Sequence, residues 1–165
     1  MIDTIFSAFS TAPGPVPWLD ILGIFLFTAG FIVGLGAITV IDIHGFLGRT
    51  SSYWTEATTR THKVTKPLIW IGLFAAISGA CITYRDVGLE GVPLLQGIIA
   101  VILVLNGIFL SFYVSPFLLK REREGKGKDL LPGPLQSKIA VSFVISFIGW
   151  WGEVLLFVWY LVMLR

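Results

Sequence analysis

Four long apolar runs, at 18–41, 67–84, 93–119 and 139–164, alternate along the chain with shorter polar or charged stretches. Each has about the 17–25 residues that a helix needs to cross the hydrocarbon core of a bilayer, and the third and fourth slightly exceed it. Amides in hydrocarbon have no water to bond, so each run is expected to satisfy its own backbone as an α-helix. The short connection at 85–92 makes the second and third helices antiparallel neighbours. The pattern predicts an all-α, polytopic integral membrane protein. It is an antiparallel four-helix transmembrane bundle forming one membrane domain over 1–165, in contact with the lipid bilayer.

The segments between the runs add detail. Ile2, Ile5, Phe6 and Phe9 follow helical spacing and predict a short amphipathic surface segment. A proline-rich stretch at 13–17 ends it. Asp3 and the missing basic region argue against a cleaved signal. In the connection at 42–66, Thr50, Ser51 and Ser52 offer N-cap hydroxyls to a Thr-rich, partly helical stretch. Trp54 is suited to anchor that stretch at the interface, and Pro67 is placed to open the second span. The connection at 120–138 contains Gly125, Gly127, Pro132, Gly133 and Pro134 and reads as a flexible charged loop. Its basic residues suit anionic headgroups or simply anchor a helix end. Within the spans, Gly23, Gly30 and Gly34 form one small-residue stripe, and Gly72, Ala76 and Ala80 form another. Such stripes let helix backbones approach closely, either inside one chain or between copies.

Composition narrows the function classes. Hydrophobic residues make up 55% of the 165-residue chain and charged residues 13%, against about 25% charged in soluble domains. Little chain remains outside the membrane for a soluble catalytic domain. Ten of the twelve Lys and Arg fall in two connections: Arg49, Arg60, Lys63 and Lys66 in one, and Lys120, Arg121, Arg123, Lys126, Lys128 and Lys138 in the other. Only Arg85 and Arg165 fall on the opposite side. The positive-inside rule makes both basic connections cytoplasmic and both termini external, in a plasma membrane of prokaryotic type. Topology therefore accounts for the +2 net charge, which gives no reason to expect nucleic acid. Cys81 is the only cysteine. It excludes an internal disulfide or a Cys-x-x-Cys site and is expected to pack within the second span.

The candidate chemistry lies at the midplane. At 1.5 Å per residue, Glu153 is about 16 Å from the end of its apolar run and Asn106 about 20 Å into its own. Thr28 and Ser78 reach similar depth in the first and second spans. Ser142, Ser146, Gly149 and Glu153 share one helical face by three- and four-residue steps. An ionisable group at such depth is costly and points to function. One reading makes Glu153 a carboxyl that exchanges a proton with substrate or water. The other makes it a structural group bonded to Asn106 or to a backbone carbonyl. Trp150 and Trp151 beside it either line a pocket for a cation or pack. Asp20, near the outer end of the first span, is a gate residue or a group wetted by headgroups.

A second cluster, Asp42, His44, Glu56 and His62, has residue types that bind zinc or iron. Asp42 and His44 are two apart and diverge on a helix, so pairing with Arg49, Arg60 or Lys63 is the alternative. Both histidines lie at or beyond the membrane boundary, which disfavours a bis-histidine haem and leaves a metal or a singly ligated haem at His44 or His62. There is no G-x-S-x-G, Walker or H-E-x-x-H motif.

Trp18-Leu19-x-x-Leu22 and Lys66-Pro67-x-x-x-x-Gly72-Leu73 resemble the four-helix protoporphyrinogen oxidases. That family places a histidine after the leucine where this chain has Gly23, so none of its functional residues carries over. Three functions are expected, in this order. First is a proton-linked carrier or channel-like protein using Glu153, Asn106, Ser78, Thr28 and Ser146. Second is a non-catalytic scaffold or subunit, assembled as a homo-oligomer or with membrane partners. Last is a redox or tetrapyrrole-linked enzyme with its cofactor near His44 or His62.

Overall fold

The computed structural model describes residues 17–163, and the surface segment expected at Ile2, Ile5, Phe6 and Phe9 lies outside the described residues. Among the described residues four long helices make up the fold: α1 (Trp18–Leu47), α2 (Ser52–Thr83), α3 (Gly91–Arg123) and α4 (Gly133–Met163). All four are long and apolar enough to cross a membrane, and no strand occurs among the described residues. They form the antiparallel four-helix bundle that the apolar pattern predicts. The outer surface carries large apolar side chains, among them Ile32, Phe74, Leu105, Phe112 and Leu155. In a bilayer these side chains face hydrocarbon, where they incur no hydration penalty.

The helices outrun the apolar runs. The 32 residues of α2 span about 48 Å, well beyond a hydrocarbon core of about 30 Å. Its polar first half is therefore a helix projecting from the membrane. Pro67 sits inside α2 and does not open it. Ser51 takes the extended N-cap conformation, yet its hydroxyl makes no capping bond. Instead, Thr55 Oγ1 donates back to the carbonyls of Gly48 (2.8 Å) and Ser51 (3.0 Å). Thr58, Thr59 and Thr65 likewise donate to the carbonyl four residues earlier, which is how hydroxyls are satisfied inside a helix. The loop expected at 120–138 shrinks to a turn at 124–132. There Gly125 adopts φ +74, a conformation in which a Cβ would be strained. Arg121 Nη2 closes the turn by donating to the carbonyls of Asp129 (3.1 Å) and Leu130 (3.2 Å).

The two small-residue stripes meet each other. A Cβ at Gly30 would collide with the Ala76 backbone, one at Gly72 with the Gly34 backbone, and one at Gly79 with the Phe27 backbone. α1 and α2 thus pack main chain against main chain. The core beside this seam contains Phe27, Phe31, Leu73, Leu103, Trp150 and Phe157. α3 packs on α4, and α4 on α1, while α2 and α3 are the sparsest neighbours. Cys81, expected to be packed, is exposed. Asp20 pairs with Arg85 at 2.6 Å, joining the start of α1 to the turn after α2.

Candidate intramembrane site

Two polar networks cross the bundle. In the first, α3 presents Asn106 to α4. Ser142 Oγ donates to Asn106 Oδ1 at 2.7 Å. Asn106 Nδ2 donates to the Ser142 carbonyl and to Ser146 Oγ, each at 3.2 Å. All three residues are buried, and the amide finds both donor and acceptor partners across the helix contact.

In the second network, Tyr84, just beyond α2, donates its hydroxyl to Gln96 Oε1 at 2.5 Å. Gln96 Nε2 then donates to the backbone carbonyl of Glu153 at 3.2 Å. The Glu153 side chain is only 4% exposed, and its Oε1 has no hydrogen-bond partner. The expected bond between Glu153 and Asn106 is absent, because Asn106 is used by Ser142 and Ser146. Helical stepping does place Ser142, Ser146 and Glu153 on one buried face. Thr28 and Ser78 do not join them: Thr28 is exposed on the lipid side of α1, and Ser78 is half-buried on α2. Trp150 is buried, with its ring against the notch at Gly34 and 6.0 Å from Phe31, whereas Trp151 is 48% exposed.

Two cavities approach these networks from opposite ends of the bundle. One, of about 410 Å³, runs from the turn at Arg85, Val87 and Leu89 inward past Tyr84 and Gln96 to Glu153. The other, of about 110 Å³, runs from the basic end at Arg49, Thr58 and His62 to Asn106 and Ser146. Leu73, Leu103 and Trp150 line both cavities and form the wall between them. A single layer of apolar side chains from α2, α3 and α4 therefore separates the two.

The narrower cavity has an unusual edge. α3 widens to a π turn at Leu110–Val114, where the Ser115 amide bonds to the Leu110 carbonyl five residues back. Pro116 follows and has no amide hydrogen to continue the register. The Ser111 carbonyl takes Lys66 Nζ at 3.1 Å instead, while Ser111 Oγ accepts from Trp70 Nε1 at 3.0 Å. Both bonds come from α2, bridging the most sparsely packed neighbours of the bundle. Single π turns of this kind occur often at functional sites.

Asp42, His44, Glu56 and His62 do not gather into one group. Asp42 and His62 are half-buried along the narrower cavity. His44 lies apart, with its ring centroid 5.1 Å from that of Trp54. Among the described residues no group of three or more His, Cys, Asp or Glu is placed to hold a metal ion. Glu56 pairs with Arg60 at 2.6 Å, and Lys63 pairs with Glu122 at 2.8 Å.

Gln96, Tyr84, Lys66, Trp70 and Ser111 enter the site without having been singled out as site residues in the sequence. Gln96 had a signal, since it precedes Ile99, Leu103 and Asn106 by three- and four-residue steps on one stripe of α3. Ser111 and Pro116 also mark a polar interruption of the third apolar run. Comparison of the chain with protein-family models, curated proteins and solved structures finds no match.

Proposed function

We propose that the chain is a small proton-linked carrier in which Glu153 holds the exchanged proton. The observation that supports this most is the buried Glu153 carboxyl, with one oxygen unpartnered, on a cavity that a single apolar layer separates from a second, oppositely directed cavity. A carrier needs a site reached alternately from two sides and a gate between them. An ionisable group within a span is the usual means of coupling to protons. Leu73, Leu103 and Trp150 are the gate in this reading, and Asn106 and Ser146 are the polar groups met from the other side. With the basic end cytoplasmic, the cavity of Glu153 opens outward. Thr28 and Ser78 take no part. The scaffold reading loses its main support, because the small-residue stripes are occupied by the α1–α2 contact.

The test uses proteoliposomes with a trapped pH dye, challenged with amines, carboxylates, sugars and inorganic ions. At least one class is expected to move protons through wild-type protein. Glu153→Gln should abolish that flux while retaining the wild-type elution profile and helical content. A proton flux unaffected by Glu153→Gln, or no solute-linked flux at all, would overturn the carrier.

A further inference from the structure

We infer that the cavity holding Glu153 binds a hydrophobic organic monocation, its charge on the Glu153 carboxyl and its apolar body against aromatic rings. The inference rests on the carrier reading only for the direction of transport; the site is argued from its lining.

Glu153 lines the cavity, is more than nine-tenths buried, and has a buried Oε1 without a hydrogen-bond partner, so its carboxyl has capacity for a donor or a cation. Phe27, Phe31, Tyr84 and Trp150 line the same space. Their rings form a continuous chain, with centroids 4.8 Å apart for Phe27–Phe31, 6.2 Å for Phe27–Tyr84 and 6.0 Å for Phe31–Trp150. Aromatic faces carry negative quadrupole density and attract cations, most strongly where water is excluded. A metal cation needs several oxygen ligands to replace its water. This lining is mostly hydrocarbon, which instead suits an organic cation with its charge spread under an apolar shell. The volume of about 410 Å³ falls in the range of small-molecule sites.

The charges around the cavity agree with a cation. From α4 come Glu153 and, behind Tyr84 with centroids 4.8 Å apart, Tyr160. α3 contributes the neutral Gln96 and α2 the thiol of Cys81, while Asp20 of α1 enters only through its pair with Arg85. Among the described residues, the one basic group on the lining is Arg85, and it is held by Asp20 at 2.6 Å and Asp86 at 3.1 Å. Two carboxylates against one guanidinium leave a rim that does not repel a cation. Binding conserves charge: the cation enters, the Glu153 carboxyl loses its proton to water, and the carboxylate neutralises the ligand.

Tetraphenylphosphonium is the probe, titrated calorimetrically into the full-length protein in detergent, with proton release followed in weak buffer. One saturable site per chain is expected, releasing up to one proton per cation. Affinity should fall up to tenfold for each pH unit lowered while that proton is displaced. Glu153→Gln should lose both binding and proton release. Trp150→Phe, which keeps a ring, should bind about tenfold more weakly, and neutral triphenylphosphine oxide should not saturate the site. Absence of saturable binding to folded wild-type protein would overturn the proposal, as would equal binding by Glu153→Gln or by the neutral analogue. Glu153-dependent flux of another solute class without cation binding overturns the cation and leaves the carrier. Cation binding with proton release but no solute-linked flux in liposomes supports this site and overturns the carrier.

Discussion

Asn106 and Glu153 lie on facing helices and meet opposite fates. The Asn106 amide is bonded by its oxygen and its nitrogen, whereas the Glu153 carboxyl keeps one oxygen free. The first is therefore a structural link between α3 and α4, and the second is the group left for chemistry. Asn106→Leu should lower stability by about 1 kcal/mol, the scale of polar bonds between membrane helices. Detergent unfolding monitored by circular dichroism measures this, and a double cycle with Ser142→Ala should reveal coupling between the two. Depth was legible in the sequence because a helix rises uniformly, so Glu153 and Asn106 were found by counting residues. Facing was not legible between helices: Thr28 and Ser78 have the right depth but turn away, because rotation about each axis is set by packing.

The α1–α2 seam has a corresponding sensitivity. Gly72→Ala would set a Cβ against the Gly34 main chain, which cannot move aside as a side-chain tip can. It should destabilise by about 1–3 kcal/mol, the usual cost of overpacking. Gly36→Ala meets open space and should be neutral or slightly stabilising, since Ala favours the helix. Comparing the unfolding midpoints of the two variants separates close approach from helix propensity. The small-residue spacing revealed that a tight contact exists, but its partner required the fold. Pro67 was read as a helix start for a sound local reason, and the Thr-rich stretch before it overrode that reason by bonding its hydroxyls back onto the helix.

Across the molecule, ten of the twelve Lys and Arg lie in the connections at one end, and Glu153 lines the cavity that opens at the other. Sidedness can be tested in a Cys81→Ser background, since Cys81 is itself exposed. Leu89→Cys should react with an impermeant maleimide on intact cells, and Asp129→Cys only after permeabilisation; the reverse pattern would invert the proposed topology. The bundle was legible because apolar length and basic connections report it directly. The cavities were not, because they arise where α2 and α3 fail to close on each other. The glycine seam also bears on how the chain is built. Synthesis proceeds from the N-terminus, so α1 and α2 can lock together before α4 leaves the ribosome. The notch at Gly34 is then already shaped when Trp150 arrives, and assembly of the gate becomes the late docking of one indole ring into a finished hairpin.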